Sequence, residues 1–121
     1  MLANIIEKVS GKSFGRFLKD EIFKPLGMFQ TGYYKSGEEP IYDLSTGYMP
    51  KDLYDVEPAI KINWSSKTGH ASIYSTVGDL NKFGVAILNN KILTQDSWKR
   101  IFTDYGNQVG YGYFIRPHLG R

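Results

Sequence analysis

The 121-residue chain contains no cysteine, so it can form neither a disulfide nor a metal site with thiolate ligands. Histidine is nearly as scarce, because His70 and His118 are the only two, and neither has an acid or a second histidine at metal-ligand spacing. We therefore expect no bound metal, and no motif indicates a cofactor. The lack of cysteine also leaves the redox environment of the protein undetermined.

Long apolar runs are missing as well. No stretch approaches the roughly 20 apolar residues that a membrane-spanning helix needs, so we expect no span in this chain. The N-terminus lacks a basic region followed by an apolar stretch and a cleavage site, so no export signal is visible, and export of a longer parent protein stays open. The net charge is +3 and the fifteen basic residues are interleaved with acids, which predicts a solvated surface and no nucleic-acid partner.

The segment from residue 2 to residue 32 predicts two short amphipathic helices. Four apolar residues of the first helix recur at positions i, i+3, i+4 and i+7 of one stripe: Leu2, Ile5, Ile6 and Val9. Gly11 is expected to close this helix in a left-handed conformation, and Ser13 to cap the next one. The second stripe ends before Pro25 and consists of Phe14, Phe17, Leu18 and Ile22. Two apolar stripes so close in sequence predict one wall of a larger core.

Residues 33–64 predict a long irregular segment, because the stretch holds Pro40, Pro50 and Pro58 and shows neither helical nor strand periodicity. Ser45 to Met49 is the one short strand that we expect there. The segment is rich in aromatic residues, namely Tyr33, Tyr34, Tyr42, Tyr48, Tyr54 and Trp64. These rings either pack against the body of the domain, which we favour, or line a ligand-facing wall.

Thr76 and Asp79 form a capping box, in which each side chain is expected to accept from a free backbone amide at the start of a third helix. Its predicted buried stripe consists of Val77, Leu80, Phe83, Ile87 and Leu88. Gly84 lies on the same stripe and predicts that another backbone passes close by. Asn89 and Asn90 are expected to end this helix.

Thr94 predicts the N-cap of a fourth helix. Leu93 and Trp98 are spaced as a hydrophobic staple across its start, and Ile101 and Phe102 continue the apolar face. After a glycine-rich turn, Tyr111 to Ile115 predicts a strand that Pro117 ends.

Two arrangements of serine suggest nucleophilic chemistry. Gly11-Lys12-Ser13-Phe14-Gly15 fits the Gly-x-Ser-x-Gly nucleophile elbow, but an elbow follows an apolar strand, whereas the residues before Gly11 have helical spacing. A helix cap is therefore the better interpretation of Ser13. A Ser/His/Asp triad can also be assembled from Ser75, His70 and Asp79, although the capping box already accounts for Asp79.

Several blocks together carry a family resemblance: Ile5 to Phe14, then Ile22 to Met28, then Thr46-Gly47-Tyr48, then Ser72 to Phe83 with the pattern Ser-Ile-Tyr-Ser-Thr-x-x-Asp-Leu-x-x-Phe, and finally Tyr111-Gly112-Tyr113. In this order they resemble the serine β-lactamase and penicillin-binding-protein-like family, of the class C β-lactamase and esterase type. The resemblance implies acyl transfer in an intact parent, where a serine activated by a lysine attacks the carbonyl of a β-lactam, a peptide or an ester.

The resemblance also implies three motifs in order: Ser-x-x-Lys, then Tyr-x-Asn, then Lys-Thr-Gly or His-x-Gly. Ser-x-x-Lys occurs nowhere, and Tyr105-Gly106-Asn107 fits the second motif but follows Lys67-Thr68-Gly69 instead of preceding it. Lys67-Thr68-Gly69 runs into the third helix cap, so we interpret it as a coincidence rather than the cleft strand. His118-Leu119-Gly120 fits the third motif, although its position beside Pro117 suits a hairpin turn better. The chain is expected to begin after the second motif and to end before the third.

These observations predict an α+β, mainly helical fold with about four helices, a long irregular middle segment and a little β-structure near the C-terminus. Residues 1–121 are expected to form a single partial domain with no catalytic, cofactor-binding or metal-binding residue of its own. The first hypothesis is a fragment of a serine hydrolase, inactive alone, whose parent takes a small-molecule or peptide substrate, and whose exposed core face allows self-association. The alternative is a non-catalytic module that binds a peptide or protein through the Tyr-rich residues 33–64.

Overall fold

The computed structural model describes residues 1–34, 41, 43–60, 69 and 71–116. Its helices are α1 (Leu2–Ser10), α2 (Phe14–Leu18), α3 (Val77–Leu88) and α4 (Gln95–Ile101), and a π-helical turn, Lys19–Phe23, continues α2. Its strands are β1 (Gly32–Tyr33), β2 (Tyr48–Pro50), β3 (Val56–Pro58) and β4 (Ile73–Tyr74). They pair as two antiparallel two-stranded sheets, β1 with β4 and β2 with β3. The predicted α+β fold with four helices is confirmed.

The junction between α1 and α2 forms largely as the sequence predicts. Gly11 has a φ of 67°, and its N–H donates to the Glu7 carbonyl at 3.0 Å, which closes α1. Ser13 occupies the N-cap of α2, but its side chain accepts no capping hydrogen bond. The Phe14 N–H donates instead to the Glu7 carboxylate at 2.7 Å. The position of the cap was predicted correctly, whereas its acceptor comes from the preceding helix.

The π-helical turn Lys19–Phe23 organises the hydrophobic core. Its bond from the Lys24 N–H to the Lys19 carbonyl, 2.9 Å long, spans five residues instead of the four of an α-helix. Leu18 and Phe23, five residues apart, are therefore both buried, and together with Met28 they form the core cluster. The partly buried residues that pack against it are Phe14, Ile22, Leu26, Tyr33 and Phe83. One core thus joins α2, the turn after it, β1 and α3.

Strands β1 and β4 bring residues at least forty positions apart into register, with Gly32 opposite Tyr74 and Tyr33 opposite Ile73. The ring of Tyr74 lies directly over Gly32, where a Cβ atom would collide with the phenol oxygen. Glycine is therefore required sterically at position 32. This pairing was not predicted, because two-residue strands are too short to show alternation in the sequence.

Strands β2 and β3 form a hairpin inside the stretch for which the sequence predicts irregular structure. Tyr48 pairs with Pro58, Met49 with Glu57 and Pro50 with Val56. The interpretation of the prolines as loop markers was wrong for Pro50 and Pro58, and the strand expected at residues 45–49 lies at Tyr48–Pro50. Each of the two prolines belongs to a non-hydrogen-bonded pair of the hairpin. Because a residue in such a pair does not donate its N–H to the partner strand, a proline at this position removes no hydrogen bond from the ladder.

Helix α3 begins and ends where the sequence predicts, but it buries a different face. Its buried residues are Asp79 and Ala86, and Phe83 packs on the core, whereas Val77 and Leu88 are 85% and 82% exposed. Leu80 is exposed as well. No described atom comes within 4 Å of a Cβ placed on Gly84, so the close backbone predicted there is absent from the described part of the chain. Of the predicted stripe, Phe83 therefore reaches the core, whereas Val77, Leu80 and Leu88 form an open apolar face.

Helix α4 starts at the predicted cap, where the Thr94 hydroxyl accepts from the Ser97 N–H at 3.3 Å, and it buries Trp98. Phe102 stacks on Trp98 and meets Tyr113 edge-on, with ring centroids 5.8 and 4.8 Å apart. The strand predicted at residues 111–115 is wrong, since residues 109–114 form a turn closed by one bridge between Val109 and Phe114. Three glycines at 106, 110 and 112 favour this turn over an extended strand.

Candidate functional site: a buried carboxylate between the helices

The polar centre of the described structure is Asp79, in the first turn of α3, whose side chain is 1% exposed. Its Oδ2 accepts from the Gln30 N–H at 2.8 Å and from the Thr31 hydroxyl at 2.9 Å. Its Oδ1 accepts from the Lys82 ammonium at 2.7 Å. A buried carboxylate is tolerated only when such donors replace water, and here three donors from two parts of the chain do so.

Lys82 connects the same site to the turn that follows the π-helical segment. Its Nζ donates to the Gly27 carbonyl at 2.7 Å as well as to Asp79. The Lys82 side chain is about half exposed, while its ammonium neutralises the buried charge of Asp79. Lys82 therefore links the start of α3 to the end of the N-terminal helical segment by two hydrogen bonds.

A pair of hydroxyls extends the site toward the surface. The oxygens of Thr31 and Ser75 lie 2.8 Å apart. Because the Thr31 hydroxyl gives its hydrogen to Asp79, its oxygen is the acceptor for Ser75. Ser75 is exposed, and its hydroxyl reaches the Asp79 carboxylate through Thr31 and also lies 3.4 Å from the Thr76 carbonyl. We call Gln30, Thr31, Ser75, Asp79 and Lys82 the Asp79 cluster.

The same contacts determine the charge state of Asp79. The hydrogen bond from Lys82 is the largest cause that lowers the pKa of the carboxyl below its usual value, and the bonds from Thr31 and the Gln30 amide add to it. Burial opposes them by raising the pKa, but it does not prevail. Asp79 is therefore ionised at neutral pH, with its oxygens engaged by donors. A carboxylate in this state holds structure together and is a poor proton acceptor for catalysis.

The cluster corrects two predictions from the sequence. Half of the capping box is confirmed, because the Thr76 hydroxyl accepts from the Asp79 N–H at 3.2 Å, but the Asp79 carboxylate bonds to residues 30, 31 and 82 rather than back to the cap. In the triad assembled from Ser75, His70 and Asp79, the serine and the acid do come together, yet a threonine joins them. His70 lies outside the described residues.

The other motifs do not form a shared site among the described residues. Ser13 follows a helix and a glycine turn, which is the geometry of a cap and not of a strand-to-helix elbow. Tyr105 stacks on Tyr111 with ring centroids 4.9 Å apart, and Asn107 has a φ of 57° in the turn beside it. A Cβ atom placed on Gly69 would lie 3.2 Å from the Ala3 Cβ, while Lys67, Thr68 and His118-Leu119-Gly120 lie outside the described residues.

Sequence reasoning missed three members of the cluster. Lys82 is three residues after Asp79, a spacing at which helix side chains meet, so the pair was detectable. Thr31 and Gln30 lie 48 and 49 residues from Asp79, and no local signal connects them. Within the described ranges, no three histidine or acidic side chains converge as they would around a metal ion. Nor does any described helix combine the length and apolar character needed to cross a bilayer.

Known proteins share the fold of this chain. The profile of the Beta-lactamase family matches residues 1–118, and this chain belongs to that family. A relative is a protein of Bacillus subtilis (strain 168) named as a penicillin-binding protein, PbpX. It is 34% identical over 118 residues, which cover 97% of this chain and 30% of PbpX.

Solved structures show the same fold over similar shares of longer chains. The D-amino acid amidase from Ochrobactrum anthropi SV3 superposes with a TM-score of 0.73 at 28% identity, over 83% of this chain and 30% of its own. FmtA from Staphylococcus aureus superposes with a TM-score of 0.78 at 24% identity, over 96% of this chain and 33% of its own. This chain thus spans about a third of the length of the proteins that it matches.

Proposed function

We propose that these 121 residues are the helical wall of a serine hydrolase domain, a single partial domain whose complete form carries out acyl transfer. The observation that carries the proposal is the match of the Beta-lactamase profile to residues 1–118, in a chain that covers only 30% of PbpX. The substrate class of the complete domain is a carbonyl compound of the kind that family members attack: a β-lactam, a D-alanyl peptide or an ester.

The isolated chain lacks the group that such chemistry needs. A serine nucleophile requires a base within hydrogen-bond reach, and no Ser-x-x-Lys occurs in the sequence. Ser75, the serine of the Asp79 cluster, is bonded to Thr31, and the carboxylate behind Thr31 is already engaged by Lys82. Without nucleophile and base the remaining scaffold supplies binding and orientation only. The chain alone is therefore not a hydrolase.

The exposed apolar faces of α1 and α3 support this proposal. In α1, the side chains of Leu2 and Val9 are 71% and 83% exposed, although their spacing is that of a buried stripe. In α3, the outer face of Val77, Leu80 and Leu88 is open in the same way. Contiguous apolar faces of this kind are interaction surfaces, and the rest of the hydrolase domain is the partner that we assign to them. In its absence they make self-association of the chain favourable.

Intact-mass spectrometry tests the proposed inactivity. The purified chain is incubated with benzylpenicillin and, separately, with a fluorophosphonate that labels activated serines, and full-length PbpX is treated in parallel. We expect the mass of the 121-residue chain to stay unchanged with both reagents. A stoichiometric adduct on any serine of the chain would overturn the proposal.

A chimera tests the positive half of the proposal. The 118 matched residues of PbpX are replaced by the matching residues of this chain, and labelling of the chimera is compared with that of PbpX itself. We expect a folded chimera that reacts to within about tenfold of PbpX, because the replaced segment shapes the cleft without supplying the nucleophile. A chimera that folds, by circular dichroism and thermal melting, but does not react at all would contradict the role of a cleft wall.

The second candidate function is a non-catalytic module that binds a peptide or protein through residues 33–64. One observation favours it: every residue of strands β2 and β3 is exposed, and so are Leu53 and Tyr54 at the tip between them. Aromatic and aliphatic side chains held out on an ordered hairpin are typical of recognition surfaces. The two candidates are compatible, since a binding hairpin can sit on a hydrolase domain.

A further inference from the structure

One edge of the β1–β4 sheet directs backbone groups away from the rest of the sheet. In an antiparallel pair, alternate residues bond to the partner strand, and the residues between them turn their N–H and C=O groups outward. The Tyr34 N–H donates to the Ser72 carbonyl at 2.7 Å, which makes these two residues a hydrogen-bonded pair. The next pair of the register, Tyr33 with Ile73, is therefore not hydrogen-bonded. The N–H and C=O of Ile73 thus point away from β1.

The same orientation recurs two residues further on, at Ser75. The following non-hydrogen-bonded pair of the register is Thr31 with Ser75, and their hydroxyl oxygens lie 2.8 Å apart, as side chains directly opposite each other can. Thr76 is still extended, with φ −107° and ψ 161°. We call the outward backbone groups of Ile73 and Ser75 the β4 edge. It presents two N–H and two C=O groups at strand spacing, and none of the four has a partner among the described residues.

The two sides of this sheet differ in how far the chain itself covers them. On the β1 side, the ring of Phe14 in α2 meets Tyr33 edge-on at a centroid distance of 5.3 Å. A Cβ atom placed on Gly15 would lie 3.1 Å from the same tyrosine ring. Tyr33 is accordingly half-buried, whereas Ile73 is 53% exposed and Ser75 is exposed as well. The β1 side is thus packed against α2, and the β4 edge is open.

The β4 edge also lacks the features that keep exposed strands from pairing. Residues 72–76 read Ser-Ile-Tyr-Ser-Thr, with no proline and no charged side chain, and with β-branched and aromatic residues that favour strands. The β2–β3 hairpin is protected, in contrast, because each of its strands carries a proline, Pro50 or Pro58, and β3 also carries Glu57. Proteins block or cover a strand edge that would otherwise pair, and the β4 edge is not blocked. We therefore expect it to be covered in the complete protein.

We propose that the β4 edge pairs with an extended strand that the rest of the hydrolase domain supplies. This inference rests on the proposed function and assigns a second contact to the same partner. The chain covers only 30% of PbpX, which leaves most of such a protein to provide the strand. The open apolar face of α3, already assigned to that partner, begins at Val77, two residues after Ser75. One body therefore covers both surfaces: side chains pack on α3, and backbone groups bond to the β4 edge.

Hydrogen exchange with single-residue resolution tests the pairing in the isolated 121-residue chain and in the PbpX chimera. In the isolated chain, the amides of Ile73 and Ser75 should exchange rapidly, whereas the Tyr74 amide, which faces Gly32 in a hydrogen-bonded pair, should be protected. In the chimera, the first two amides should exchange at least about 100-fold more slowly than in the isolated chain. If the chimera does not fold, PbpX itself is measured, and slow exchange is expected at its residues aligned with 73 and 75.

Two variants of Ser75 isolate the contribution of its outward N–H. Ser75→Ala removes the hydroxyl and its bond to Thr31 but keeps the N–H, whereas Ser75→Pro removes both. Tyr74 lies in a strand, which is the conformation that a residue before proline prefers. The unfolding constant of the proline variant divided by that of the alanine variant should be about tenfold larger in the chimera than in the isolated chain, because only the chimera loses a bond to the new strand. An equal ratio in both would overturn the proposal.

The remaining outcomes separate this inference from the proposed function. A chimera that reacts with benzylpenicillin but keeps Ile73 and Ser75 in rapid exchange overturns the strand pairing and leaves the hydrolase wall standing. A folded chimera that does not react contradicts the proposed function, and slow exchange in it would still support the pairing. Protection of both amides in the dilute isolated chain would show that this chain covers its own edge. Protection that appears only at higher concentration would show that a second copy does so, and either result overturns the proposal.

Discussion

The Asp79 cluster and the β2–β3 hairpin are ordered by opposite means. The cluster is held by bonds between residues 44 to 55 positions apart, around a carboxylate that water does not reach. The hairpin is held by bonds within residues 47–59, and all of its strand residues are exposed. Long-range bonds form only after the helices and the core have packed, whereas a hairpin needs only its own turn. The stability of the chain should therefore depend on the first region and hardly on the second.

The largest expected difference between the two parts of the chain comes from truncating one large apolar side chain in the buried core and one at the tip of the hairpin. Phe23→Ala should cost about 3–5 kcal/mol in the free energy of unfolding, because Phe23 lies in the buried cluster with Leu18 and Met28. Leu53→Ala at the hairpin tip should change it by less than about 0.5 kcal/mol, since Leu53 is 90% exposed. Urea unfolding followed by Trp fluorescence measures both. Equal losses would show that the hairpin is part of the cooperative unit.

The second comparison uses two aspartates that both accept backbone amides. Asp79→Ala should lower the melting temperature by on the order of 10 °C, because it leaves Thr31, the Gln30 amide and Lys82 without their buried acceptor. Asp52→Ala removes acceptors only for amides in the exposed tip and should lower it by no more than about 2 °C. Differential scanning calorimetry measures both transitions, and a smaller effect at Asp79 would contradict its role as the junction.

The pH dependence of the free energy of unfolding tests the contribution of Asp79 separately. The pKa of Asp79 is lowered in the folded state, so its contribution is present above the unfolded value, near 3.8, and is lost as the pH falls through the folded pKa. Asp79→Asn should thus be less stable than the parent above about pH 5, and the gap should narrow below about pH 4. The pKa of Asp20 is lowered as well, chiefly by Lys24, so any stability gap of Asp20→Asn should narrow over the same pH range. A gap independent of pH would contradict the assignment.

The smallest predicted effect concerns Gly84, on the exposed face of α3. Gly84→Ala should raise the stability of the isolated chain by about 0.5–1 kcal/mol, because alanine favours the helix and no described atom lies within 4 Å of the new methyl group. Gly32→Ala should do the reverse, since its Cβ meets the Tyr74 ring. In the PbpX chimera the gain at Gly84 should vanish if the rest of the domain packs there. A stabilising effect in both settings would argue that this face of α3 stays open.

Sequence analysis predicted the features that depend on neighbours in the chain. The glycine closure at Gly11, the Thr76 and Thr94 caps and the end of α3 at Asn89 are all confirmed. These signals act over three or four residues, where the choice of side chain decides the geometry directly. The resemblance to the β-lactamase and penicillin-binding-protein-like family is confirmed as well, because blocks spread along the whole chain carry it.

The features that were missed depend on distant partners. Thr31 and Gln30 join Asp79 across almost fifty residues, and the β1–β4 pair joins strands of two residues each. The buried stripe predicted for α3 was correct for Phe83 but wrong for Val77, Leu80 and Leu88, because hydrophobic spacing shows where an apolar face lies, not whether this chain covers it. Pro50 and Pro58 were interpreted wrongly as loop residues. A strand accepts proline only at certain positions of the ladder, and those positions cannot be identified before the register is known.

The π-helical turn Lys19–Phe23 has an evolutionary consequence. Because its hydrogen bonds span five residues, it accommodates one more residue than an α-helix of the same axial length, and it keeps both Leu18 and Phe23 on the core. Relatives with an unbroken α-helix here should therefore align with a one-residue gap between positions 19 and 23. A wide turn of this kind lets a helix take up one inserted residue without moving the core residues on either side of it.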